Sequence, residues 1–208
     1  MASAPIQLKK LPTVSLHISQ AGLGFIYRHE AQRGVSNHLY WPGGASGVTL
    51  GAGYDMKERT KNQVSADMVR ICVPKAIADK IANGAGLSGS KAEDFADDNH
   101  DLVTLTNAQE TALLAFIIPH YEAIVRRNVH VPLTQYEFDA LVSFVFNPGA
   151  SFLPVASDIN QGKISAAMSI IKSRTLTGGA RSQGLLQRRI DEIQLFLHGA
   201  YHSHQHKH

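Results

Sequence analysis

Two carboxylates and a hydroxyl stand close together in the first third of this chain. His29-Glu30 closes an amphipathic segment, and a turn-rich insert leads to Gly47-Val48-Thr49-Leu50-Gly51-Ala52-Gly53-Tyr54-Asp55. Glu30 is an acid at a segment end, while Thr49 and Asp55 lie six residues apart on a short Gly-rich β element. Two carboxylates with a hydroxyl nearby are the minimum needed to hydrolyse a glycosidic bond with a positioned water. One acid protonates the leaving oxygen as positive charge develops on the sugar, and the second group activates the water. That chemistry needs no metal and no organic cofactor.

Each residue also has an ordinary reading. Thr49 between Val48 and Leu50 is a common β-branched strand residue. Asp55, with Glu58 three residues on, has the pattern to cap the turn Met56-Lys57-Glu58-Arg59. Glu30 at a helix C-terminus is disfavoured by the helix dipole, which argues for a use other than surface charge. The glycines around Thr49 match neither dinucleotide nor P-loop spacing.

The elements that must carry these groups can be outlined from caps and periodicity. Ser19 is a candidate N-cap for a helix through Phe25 and Tyr27 to about His29. Leu39-Tyr40-Trp41 and Val48-Thr49-Leu50 read as short strands around a Pro42–Gly47 turn. Helical periodicity begins near Val64, and Pro74 suits the start of a helix to about Ala82. Gly86–Asp101, with Asp94, Asp97, Asp98 and Asp101, reads as a polar linker between two lobes. Its Asp97-Asp98-Asn99-His100-Asp101 run lacks the pattern of a calcium loop and reads as solvated acid. Thr106 with Gln109 and Thr134 with Glu137 form capping boxes for helices to about Arg127, kinked at Pro119, and over Gln135–Phe146. Asn147-Pro148-Gly149 ends the second of these. Further helices fit Leu153–Asn160, Ile164–Ser173 and Gln183–His198, the last stopped by Gly199. The expected fold is α+β: a small β-containing N-terminal lobe and a larger helical C-terminal lobe, with a cleft between them. An extended arm over 1–15 precedes a domain over 16–199, and a His-rich tail fills 200–208.

With 208 residues, 44% hydrophobic and 18% charged, the chain can bury a full core. Twenty Lys and Arg against 17 Asp and Glu are a mild excess that fits ordinary surface charge as well as a preference for polyanionic surfaces such as cell-wall polymers, and are too few to argue nucleic-acid binding. The lone Cys72, in Val69-Arg70-Ile71-Cys72-Val73, excludes an intramolecular disulfide and is expected to be buried. No apolar stretch is long enough to span a membrane, and Met1–Lys10 does not read as a secretory signal. His202, His204, His206 and His208 alternate at the end as an expected disordered tail, with no metal role assigned.

The order Glu30…Thr49…Asp55 resembles that of pesticin-type lysozyme-like toxin domains and, more distantly, of phage lysozymes and endolysins. Leu133-Thr134-Gln135-Tyr136-Glu137-Phe138-Asp139-Ala140-Leu141-Val142-Ser143-Phe144 is similar to the central helix of phage-type endolysins. Gly184-Leu185-Leu186-Gln187-Arg188-Arg189 resembles their late Gly-Leu-x-x-Arg-Arg helix. The resemblance covers roughly residues 15–199. It implies Glu30 as general acid, Thr49 as the catalytic Thr, Asp55 as the pesticin-type Asp, and Arg188 as the partner of the acid. Phage lysozymes place their Asp between the Glu and the Thr, where this chain has Gly43. Arg188 has a competing reading as a helix ion pair with Asp191 or Glu192.

The resemblance further implies a muramidase that cuts the β-1,4 bond between N-acetylmuramic acid and N-acetylglucosamine, and so lyses bacterial walls. Water held by Thr49 and Asp55 opposite Glu30 implies inversion, with carboxyl groups ~6.5–9.5 Å apart. Burial beside Phe25 and Tyr27 would help Glu30 keep its proton, and Arg188 would oppose that. Competing functions are a lytic transglycosylase, a chitinase, and a non-catalytic wall-binding relative. The expected setting is a monomer made in the cytoplasm and acting on peptidoglycan after holin release or delivery by a secretion system. A delivered toxin would also meet an immunity protein.

Overall fold

The computed structural model describes residues 9–32, 34–147, 152–177 and 180–202. The chain divides into two compact units, 26–117 and 1–25 with 118–208. The fold is α+β, with helices predominating over two short antiparallel pairs.

Unit 26–117 begins in the second half of α1 (Gln20–Glu30). Strand β1 (Thr49–Leu50) pairs with β2 (Tyr54–Asp55), Thr49 facing Asp55 and Leu50 facing Tyr54. The loop needs Gly51 and Gly53, whose φ angles of 61° and 99° are costly for other residues. On its other side Thr49 bridges Tyr40 through two backbone hydrogen bonds of 2.8 and 3.0 Å. The expected strand pair around Pro42–Gly47 is therefore one bridge, and the longer pairing runs forward to Tyr54-Asp55.

Helix α2 (Lys61–Arg70) opens on a Thr60/Gln63 capping box, and α3 (Lys75–Ile81) follows Pro74. Leu39, Val48, Leu50, Tyr54 and Met56 pack with Val64, Met68, Ile81 and Leu113 in one core. The expected linker Gly86–Asp101 is instead mostly helix α4 (Ser90–Asp98), inside this unit. Ala92 and Ala96 are buried and Phe95 packs on the core, while Asp94, Asp97 and Asp98 face solvent. Three apolar residues at helical spacing sufficed to fold a segment whose average is polar.

Cys72 is exposed, contrary to the buried thiol expected. α2 stops at Arg70, and Cys72 follows Ile71 with φ 65°. Val73 N donates to Met68 O at 3.0 Å and Cys72 N to Val69 O at 2.9 Å, the double closure that ends helices at a left-handed residue. Reversal of the chain there buries Ile71 and Val73 and turns the thiol outward. Cys72→Gly is expected to raise stability by about 0.5–1 kcal/mol, because glycine removes the left-handed penalty and gives back part of the gain as entropy. An unchanged or lower urea midpoint would show that the site carries no strain.

In the other unit Ser19 caps α1, its hydroxyl accepting from Gly22 N, while its own N and hydroxyl donate to buried Asp139. Gln135 and Tyr201 also donate to Asp139. Burial and this carboxylate push the Tyr201 phenol well above its usual range. Asp139 lies on α6 (Gln135–Phe146), which opens on the expected Thr134/Glu137 capping box. Every residue of α6 from Glu137 to Phe146 is buried, so it is a central helix. Helices α7 (Leu153–Asn160), α8 (Ile164–Ser173) and α9 (Gln183–His198) have the expected limits, and Gly199 ends α9. Strands β3 (Leu176–Thr177) and β4 (Ala180–Arg181), unforeseen from the sequence, pair just before α9. Helix α5 (Asn107–Asn128) starts at the Thr106/Gln109 box and carries Pro119 inside it.

In the expected arm, Leu11 bridges Leu133, and Thr13–Ser15 form a 3-10 turn. Residues 1–8 of that arm, 203–208 of the expected tail, and Pro148-Gly149 lie outside the described residues. Among the described residues no helix is long and apolar enough to cross a membrane.

Candidate active site

Glu30 is the last residue of α1 and is half-buried. Thr49 and Asp55 face each other across the β1–β2 ladder, so the six-residue spacing becomes direct opposition. Thr49 is 1% exposed, and its hydroxyl donates to Gly47 O at 3.1 Å. Both Asp55 oxygens are fixed from the backbone: Oδ2 accepts from Gly47 N at 3.1 Å and Oδ1 from Lys57 N at 2.7 Å. Asp55 therefore does cap a turn, as its ordinary reading held, although the helix that follows, α2, has its own cap in Thr60. Asp55 also lines an open depression of about 460 Å³ with Ala45, Ser46, Lys57 and Glu58.

Gly47 serves both groups, presenting N–H to Asp55 and its carbonyl to Thr49. A Cβ there would stand 2.3 Å from Asp55 Oδ1 and 2.7 Å from Lys57 N, so only glycine fits. Gly47→Ala is expected to cost about 1–3 kcal/mol through overpacking. By moving the Asp55 carboxylate it should also lower turnover about 100-fold. Urea melts and a turnover assay check the pair, and a fully active, equally stable variant would remove Asp55 from the site.

Tyr40 links the acids. Burial pushes its phenol up to about 12, and the negative charges of Glu30, then Glu110, then Asp55 reinforce the shift. Three carboxylates are thus close enough to act on one ring. The phenol remains a donor at neutral pH and gives its proton to Gly51 O at 3.2 Å. Glu110, on the first turns of α5, is 3% exposed and accepts from Tyr27 Oη at 3.0 Å and Ser36 Oγ at 2.6 Å.

Arg188, in the other unit, donates to Glu192 Oε1 at 3.0 Å and to Ser143 O at 3.2 Å. The helix ion pair weighed for it is thus present. Among the described residues His38, His100 and Asp101 form a group able to contact a metal ion, their ligand atoms lying within 4.8 Å of one another. The two imidazoles are stacked 4.4 Å apart at 8°, so their in-plane lone pairs run side by side without converging.

A family model described as "Domain of unknown function (DUF8812)" matches residues 26–140, more than half of the chain. The endolysin of Acyrthosiphon pisum secondary endosymbiont phage 1 is 32% identical over 99 residues, which are 44% of this chain and 68% of that protein. The chain belongs to the DUF8812 family and to the lysozyme-like endolysins. The endolysin of Bacillus phage B103 is 30% identical over 108 residues, half of this chain. The matched segments span 41% and 30% of the two Bacillus phage endolysins, well under the length of those relatives. Among solved structures, an endolysin from Escherichia coli O157:H7 phage FAHEc1 has a TM-score of 0.58 at 20% identity, covering 90% of this chain and 97% of its own. The muramidase domain of SpmX from Asticaccaulis excentricus has a TM-score of 0.53 at 26% identity, covering 87% and 97%.

Within this endolysin framework, sequence reasoning missed Tyr40, Glu110 and the dual role of Gly47. Tyr40 and Glu110 are separated by 70 positions and carry no shared motif. Gly47 had a signal in its place two residues before Thr49, but its contact with Asp55 exists only once β2 is paired.

Proposed function

We propose that this endolysin-family chain is a peptidoglycan hydrolase. In this reading it is a muramidase that cleaves the β-1,4 bond between N-acetylmuramic acid and N-acetylglucosamine, leading to wall lysis. The observation that carries it is the direct opposition of Thr49 and Asp55, with Glu30 close enough to act on the Tyr40 ring beside them. The names of the matched endolysins and of the SpmX muramidase domain support the same substrate class.

Glu30 donates the proton to the leaving glycosidic oxygen. Thr49 and Asp55 hold a water on the opposite face, Asp55 taking its proton as the C–O bond breaks, so the product emerges with inverted anomeric configuration. The two backbone donors on Asp55 support this role, because they fix the carboxylate without needing substrate. Arg188 keeps its place as a partner of the acid on the strength of the late-helix motif alone.

Proton NMR of a fresh peptidoglycan digest tests the mechanism. The α anomer of the new reducing end should appear first and the β anomer only by later equilibration. Initial β product would overturn the water-activating role of Asp55, and no product at all would overturn the hydrolase reading.

A further inference from the structure

We infer that Glu110 is a positioning residue for the proposed acid Glu30, an inference that rests on the hydrolase reading above. A buried carboxylate is costly unless its oxygens are satisfied, so the partners of Glu110 show what it is kept for. They bracket Glu30 on both sides along the chain. Oε2 accepts from Tyr27 Oη, one helical turn before Glu30 and on the same face of α1. Oε1 accepts from Ser36 Oγ, and Ser36 Oγ in turn accepts from Gln32 N at 3.1 Å, two residues after Glu30. The backbone N of Ser36 donates to Gln32 O at 2.9 Å, closing the turn that follows the helix.

The same serine reaches the hairpin. Ser36 O accepts from Gly51 N at 2.7 Å, in the loop between β1 and β2, and Gly51 O accepts from Tyr40 Oη. Glu110 is therefore the point from which hydrogen bonds run to the last turn of α1 and to the strands that carry Thr49 and Asp55. All of these residues belong to one unit, 26–117. Glu110 itself is 3% exposed and spends both oxygens on Tyr27 and Ser36, so it orients and does not react. A glutamine in its place is isosteric but can accept from only one of the two hydroxyls through its oxygen; its NH2 must donate to the other, so one arm has to reverse and the negative charge that both hydroxyls serve is lost.

The experiment measures kcat and KM on purified peptidoglycan for wild type, Glu110→Gln, Tyr27→Phe and Ser36→Ala, with a thermal melt of each. The expected result is a kcat for Glu110→Gln lower by about 10–100-fold at little-changed KM, in protein that remains folded at the assay temperature. Tyr27→Phe and Ser36→Ala each remove one arm and should each lose a smaller share of kcat. They carry the test if Glu110→Gln does not fold. Wild-type kcat in the folded variants, or losses that only track the unfolded fraction, would overturn the inference while leaving the hydrolase reading intact. A wild-type protein that releases no product would overturn the hydrolase reading, and the role of Glu110 would fall with it.

Discussion

Glu30→Gln is expected to lower turnover on peptidoglycan by about 10²–10⁴-fold, the usual contribution of a positioned general acid. The amide keeps the shape of the side chain and its place at the end of α1, but it cannot deliver a proton. Structural consequences should be slight, since Glu30 is half-buried and the turn after it is closed by the backbone of Gln32 and Ser36. The melting temperature therefore separates the readings: activity collapses while stability holds. A variant as active as wild type would remove Glu30 from the chemistry.

The second large effect falls on stability, far along the chain. Glu192, 1% exposed, accepts from Arg188 Nε, from Arg189 Nη1 and from Ser143 Oγ at 2.9 Å. Arg189 is fully buried; it also donates to Arg174 O and Asn147 and sits over the Phe144 ring, 4.9 Å from its centroid. This cluster joins α9 to α6 in the middle of the helical core. Removing one member of a buried ion cluster leaves charge without its counter-charge, so Glu192→Ala should cost about 3–5 kcal/mol. For a chain of this size that is roughly 10 °C in Tm, a large part of the whole folding free energy. A loss below about 1 kcal/mol would mean that water replaces the carboxylate there.

The elements with chemical punctuation were legible in the sequence. Thr106/Gln109 and Thr134/Glu137 announce α5 and α6 because their side chains satisfy helix donors within four residues, and Gly199 ends α9 for an equally local reason. The α4 helix was not legible, because Asp94, Asp97 and Asp98 hide the spacing of Ala92, Phe95 and Ala96. Two-residue strands have no periodicity to read, so the β3–β4 pair escaped, and the Gly-rich β element carrying Thr49 and Asp55 was legible without its pairing. Cys72 misled because an apolar run implies burial only while the helix continues, and here the chain reverses.

At the site, Glu30, Thr49 and Asp55 stood out through their types, their order and their resemblance to known wall lytic domains. Their geometry did not. The opposition of Thr49 and Asp55 depends on a register set by Gly51 and Gly53, and the close fit of Gly47 depends on that register in turn. Tyr40 and Glu110 reach the site only through tertiary packing, a buried acid and a ring with no motif between them. Local chemistry is written in short spacings, whereas the groups that hold it in place are written across the fold.

The most direct measurement is mass spectrometry of the muropeptides released from purified peptidoglycan by wild type, Glu30→Gln and Asp55→Asn. The account predicts reducing N-acetylmuramic acid ends from wild type and almost none from either variant. Anhydro ends that persist in Asp55→Asn, or wild-type product from Glu30→Gln, would contradict a two-carboxylate muramidase.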